Sequence, residues 1–180
     1  MAVGGGTGLT GRNEFLRVLS VLEAAVHYRV VDAREIPTVA AWPVAEGVDD
    51  DDLVGLAGLD LGPFDPRDAR QALSEFVESV GSRLPRPEAL DVAAATLARA
   101  VLSTTTQPER ALRRFYELAV EADYPDDDAV MQLYGLDDEW HGGWGRLREQ
   151  IAIEVDALLT LLATRGPVAE VVTEAAVRSL

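Results

Sequence analysis

Apolar residues in this chain recur at steps of three and four. Trp144, Leu147, Ile151, Val155, Leu158 and Leu162 form the clearest row, and Leu90, Ala94, Leu97 and Val101 form another. Such spacing gathers side chains on one face of an α-helix. A strand needs alternation over four residues or more, and Val30-Val31 and Val171-Val172 are too short to supply it. The pattern therefore predicts an all-α protein, a single compact bundle of about eight or nine mostly short helices with no β-sheet.

Punctuation residues set the expected boundaries. Residues 1–12 are rich in glycine and read as a flexible leader. Residues 13–180 read as one helical domain, with Asn13 as the first N-cap and a possible sub-boundary near 82–87, where Leu84-Pro85-Arg86-Pro87 stiffens the chain. Asp32 with Glu35, and Thr106 with Glu109, have the spacing of capping boxes. The Asp49–Asp52 run should open a helix. Asp65 should cap another, with Pro66 at its first position and Gly81 at its end. Pro43 should kink or end its helix, with Gly47 as the stop. Gly135 should end the helix that starts near Asp126, and Trp140-His141-Gly142-Gly143-Trp144 should form a loop. A last short helix is expected over 168–177.

Composition excludes whole classes of function. The chain has 180 residues, no cysteine, no lysine and only two histidines, His27 and His141, with a net charge of -15. Without cysteine there are no disulfides, thiolate metal sites or cysteine nucleophiles. The charge is spread evenly: residues 1–90 carry 8 Arg and 15 acids, residues 91–180 carry 8 Arg and 16 acids. No basic stripe is present to meet phosphates, so neither nucleic acid nor an anionic membrane is an expected partner. No apolar run reaches the roughly 18 residues of a membrane span. The first residues lack a basic segment followed by an apolar one, so a cytoplasmic location is expected.

Several motifs invite a chemical reading and fail its context test. Gly4-Gly5-Gly6-Thr7-Gly8-Leu9 is similar to the glycine signature of a nucleotide-sugar transferase family. That signature needs a buried strand before it, and only Met1-Ala2-Val3 is available. Asp49–Asp52 and Asp126–Asp128 lack the glycine and glutamate that a calcium loop requires at its sixth and twelfth positions. Glu23 and His27 stand four apart rather than in the three-residue spacing of a carboxylate-bridged metal bundle. Serines 20, 74, 79, 82, 103 and 179 lie outside any nucleophile elbow. No cofactor, metal site or catalytic residue is expected.

One segment stands apart. Trp140, His141 and Trp144 fall within five residues around a glycine pair, with Asp138 and Glu139 before them and Arg146 after. Aromatic and arginine side chains anchor many binding sites. Asp138, Glu139, Trp140, His141, Trp144 and Arg146 are therefore the candidate binding residues. The competing reading is that the tryptophans staple a helix junction into the core.

The stretch Ile36-Pro37-Thr38-Val39-Ala40-Ala41-Trp42, through Gly47 to Leu53-Val54-Gly55-Leu56-Ala57-Gly58-Leu59, resembles a pattern in uncharacterised helical proteins of high-GC actinobacteria. Leu136-Asp137-Asp138-Glu139-Trp140 has the same flavour, while Pro43 departs from the pattern. The resemblance implies an all-helical cytoplasmic protein and carries no activity or site residues with it.

Two function classes follow. The first is a cytoplasmic helical protein working through protein–protein contacts, immunity- or antitoxin-like in one version, with a homodimer as a further possibility. The second is a small-molecule-binding or enzymatic bundle with a pocket near Trp140–Trp144. A flat apolar patch on an outer helix would favour the first, and a deep pocket holding His141 and an acid would favour the second.

Overall fold

In the computed structural model of the chain, residues 8–167 and 169–180 are described. They form nine α-helices and no strand: α1 (Gly8–His27), α2 (Ile36–Ala45), α3 (Asp51–Ala57), α4 (Pro66–Ser79), α5 (Arg86–Leu102), α6 (Pro108–Glu121), α7 (Asp128–Gly142), α8 (Arg148–Ala163) and α9 (Glu170–Arg178). The all-α reading holds.

Helix α5 is the axis of the molecule. Val92, Ala93, Ala94, Ala95, Leu97, Ala98, Ala100 and Val101 are all buried. Its small side chains let α1, α6, α8 and α9 pack against it. A buried Leu or Val contributes about 1.5–3 kcal/mol relative to exposure, so a helix enclosed on nearly every side is a large share of the core. Thr96, buried among them, returns its hydroxyl to the Val92 carbonyl at 2.8 Å. The Leu84–Pro87 segment is the turn that leads from α4 into this helix.

Capping follows the aspartates. Asp50 accepts from the N–H groups of Asp52 and Leu53 at the start of α3, and Asp65 from that of Arg67 at the start of α4. Gly81 (φ 66°) closes α4, and the N–H of Ser82 returns to the carbonyl of Val77. Neither predicted capping box closes. Asp32 caps a 3-10 turn, Ala33–Glu35, whereas the Glu35 side chain is taken up by an ion pair with Arg178 at 2.7 Å. Gln107 occupies the N-cap of α6 without a side-chain bond, and Thr106 pairs with Thr104.

Other boundaries shift for physical reasons. α1 begins at Gly8 rather than at Asn13, so the last five residues of the expected leader are helical, while residues 1–7 lie outside the described residues. α2, by contrast, ends where expected, at Ala45, two residues after Pro43 and just before Gly47. Only one turn remains after the proline, and its carbonyl accepts from the N–H of Val48 in the closing turn at Gly47 (φ 86°). α7 runs through Gly135 to Gly142 because Leu136 and Asp137 continue its buried face. A helical glycine costs about 1 kcal/mol, which such packing offsets. α9 starts at Glu170, and Val168 lies outside the described residues. Val172, Ala175 and Ala176 of α9 are buried within the domain.

Trp144 and Leu147 do not belong to the core row of α8. They are 61% and 67% exposed, while Ile151, Val155, Leu158 and Leu162 are buried. α8 begins only at Arg148, so the helical register cannot carry the first two residues inward.

Candidate functional site

The expected loop at Trp140–Trp144 is instead the last turn of α7 followed by a tight reversal. Trp140, His141 and Gly142 are helical, and the chain turns at Gly143 (φ 64°) and Gly145 (φ 83°). Each glycine has its own reason. Gly143 and Gly145 hold left-handed conformations that L side chains disfavour. A Cβ on Gly142 would lie 2.3 Å from Nε1 of Trp144, so the bare backbone is what the indole rests on. A Cβ on Gly145 would lie 2.6 Å from Oε2 of Glu139.

Glu139 fastens this reversal. Its Oε2 accepts the Nε–H of Arg146 at 3.0 Å and the backbone N–H of Arg146 at 3.2 Å, and Oε1 accepts from Nη2. The remaining arm of Arg146 reaches Glu154 on α8. Hydrogen bonds from the Arg146 side chain, then from its backbone, hold the Glu139 carboxyl down to about 2. The two carboxylates raise Arg146 in turn. This ties the end of α7 to the first turns of α8.

The six sequence-predicted residues thus divide between two faces. Glu139, Trp144 and Arg146 stand on the α8 side. Trp140 is half-buried between them and the core, with the Arg148 guanidinium 5.0 Å from its ring centroid, and its Nε1 has no hydrogen-bond partner among the described residues. His141 and Asp138 belong to the α6 side. Nδ1 of His141 lies 2.9 Å from the Asp137 carbonyl, the geometry of an N–H donating to it, and Nε2 lies 3.6 Å from Glu109. Asp137 itself is buried, with Oδ1 3.4 Å from His141 Nδ1. Burial raises its carboxyl pKa, and His141 and Arg113 oppose that rise.

Along the same α6–α7 seam stand three of the four tyrosines, which sequence reasoning did not gather. Tyr116 and Tyr134 stack at 5.1 Å, Tyr124 meets Tyr134 edge-on at 5.6 Å, and Arg113 covers Tyr116 at 5.0 Å. Burial, then the neighbouring hydroxyls and Asp138, raise the Tyr134 hydroxyl pKa. The usable signal was the spacing of Glu109, Arg113, Tyr116 and Val120 along one face of α6. Among the described residues no serine or threonine hydroxyl bonds to His141, whose ring nitrogens face Asp137 and Glu109 instead.

A second omission lies on α8. Opposite its buried row, Ile153 is 73% exposed and Leu161 51% exposed, with exposed Ala157 between them. Steps of four run these three along one side of the helix. Trp144 and Leu147, also exposed, precede its first turn. The signal was present in the sequence as a second apolar row, masked by the stronger first.

Four clefts of about 350, 440, 490 and 440 Å³ open elsewhere, and none is lined by a residue of 138–146. Among the described residues no group of three or more His, Asp or Glu side chains gathers as metal ligands would, and no helix is long and apolar enough to cross a membrane. Comparison of the chain with protein-family models, with curated proteins and with solved structures finds no match.

Proposed function

We propose that this protein works in the cytoplasm by docking another protein on the outer face of α8 and the adjoining Trp144 turn. The observation that carries the reading is the exposed row Ile153, Ala157 and Leu161 on α8, preceded in the chain by exposed Trp144 and Leu147. Exposed apolar side chains that are contiguous, rather than scattered, mark interaction sites. Tryptophan is among the residues that dominate interface energetics. The face is also held still. Arg146 fastens the start of α8 to Glu139, and Arg99 of α5 donates to the carbonyls of Ala163, Arg165 and Pro167 at its end. A rigid face loses little entropy on binding. A pocket between Trp140 and Trp144 draws less support, since the Trp144 indole lies on Gly142 with most of its surface in solvent.

The test is site-specific photo-crosslinking in cells. A crosslinker at position 153 or 161 should trap one discrete partner, and the same crosslinker at exposed Arg67 should not. Leu161→Asp should abolish the product while helical circular dichroism is unchanged. Identical products from all three positions, or none from 153 and 161, would overturn the reading.

A further inference from the structure

The charges around the α8 row specify what kind of surface can cover it. Glu149 and Asp156 stand four residues before and three after Ile153, on the same side of the helix, and both are exposed. Glu154 borders the other edge, three residues before Ala157, and shares Arg146 with Glu139. The arginines nearest in sequence are drawn elsewhere. Arg148 lies over the Trp140 ring, and Arg165 is bonded to Asp127 at 2.7 Å with Asp91 at 3.6 Å. Among the described residues neither Glu149 nor Asp156 has an ion-pair partner. An apolar row of three residues is therefore framed by carboxylates with no free cation on that face.

Resting on the docking role given above for this face, we infer that its occupant is a basic amphipathic helix of a partner protein. The row takes apolar side chains spaced by four, and the unpaired Glu149 and Asp156 take Lys or Arg along its edge. Opposite potentials meeting across an interface speed encounter and reject wrong partners. A second copy of this chain fits the row worse. It would bring its own carboxylates to the same face and a net charge of -15 to meet another of -15.

The experiment uses two synthetic helical peptides of about 20 residues, long enough for several helical turns. Both carry Leu at every third or fourth position. One is flanked by Lys and Arg, and the other has Glu at those positions. Binding to the intact protein is read by calorimetry, and self-association by sedimentation. The cationic peptide should bind and the anionic one should not. Ile153→Asp with Leu161→Asp, and separately Glu149→Lys with Asp156→Lys, should each weaken binding by about tenfold or more. Control substitutions Asp49→Lys and Asp51→Lys, at the acidic start of α3, should leave it near the native value.

Equal binding of both peptides, or self-association abolished by Leu161→Asp, would overturn the basic-helix inference and leave the docking face standing. So would binding to neither peptide. Binding of the cationic peptide that ignores Ile153→Asp and Leu161→Asp would remove the docking face itself, and the inference with it. An equal loss from the α3 control would reduce the interaction to general attraction and overturn the inference.

Discussion

Oε2 of Glu139 accepts two hydrogen bonds from one residue, Arg146, at 3.0 Å from Nε and at 3.2 Å from the backbone nitrogen. One carboxylate oxygen thereby fixes both the path of the chain after Gly145 and the direction of the arginine side chain. This sets the acid sensitivity of the α7–α8 junction. The folded-state pKa of Glu139, about 2, lies below its ordinary value of 4.5. The contribution is therefore complete above about pH 4.5 and is lost as pH falls toward 2. Carbon-detected NMR titration of the Glu139 carboxyl should show a midpoint near 2, and Arg146→Ala should return it to the ordinary range. A native midpoint near 4.5 would count against the staple.

Asp137 should behave in the opposite sense. Burial raises its pKa, so ionisation of the carboxyl costs stability above the folded pKa, and the cost vanishes below the unfolded one. Asp137→Asn is expected to be more stable than the native protein at pH 7. The gap should close as pH falls through the range where the carboxyl takes up a proton. Urea unfolding at several pH values measures this. A variant less stable than the native protein at pH 7 would mean that the contacts to His141 and Arg113 outweigh burial.

Arg99→Ala should destabilise by about 2–3 kcal/mol, because hydrogen bonds to a charged donor exceed neutral ones and several carbonyls lose their partner together. The guanidinium reaches Ala163 at 2.9 Å, Arg165 at 2.7 Å and Pro167 at 3.2 Å, a fan of directions that an ammonium group cannot match. Arg99→Lys should therefore recover less than half of the loss. Hydrogen exchange should show the last turn of α8 opening in both variants.

The glycines of the reversal should separate cleanly by experiment. Gly143→Ala meets no atom within 4 Å, so its cost is backbone strain alone, about 1–2 kcal/mol. Gly142→Ala has no positive φ to violate but displaces the Trp144 indole. It should leave thermal stability nearly unchanged and shift the tryptophan emission. A large stability loss from Gly142→Ala, with emission unmoved, would show that the indole does not rest there.

Helix positions and most of the core were readable because the apolar spacing and the aspartate caps act locally. Asp50, Asp65 and Gly81 do in the structure what their residue types predict. Pro43 and Gly47 end α2 as their residue types predict, whereas Gly135 misled because its local propensity is overridden by the buried face that Leu136 and Asp137 continue, which no short window of sequence displays. The predicted loop residues were close in sequence and divided in space. A helix turn sends His141 toward Glu109 on α6, whereas the reversal sends Arg146 toward Glu154 on α8. Glu35 paired with Arg178 and Arg99 capping α8 depend on partners more than 60 residues away, beyond any motif. The outer row of α8 was visible only once the inner row had been assigned to the core.

The central position of α5 has a consequence for how the molecule is made. Its residues leave the ribosome well before α8 and α9, which cover much of its surface. The first five helices therefore emerge with an alanine-rich apolar rod still open on the side that α8 and α9 will close. Translation must continue to 170–178 before the last of those partners can dock. A pause between α5 and α8 would prolong that exposure, the condition in which nascent chains aggregate or engage chaperones.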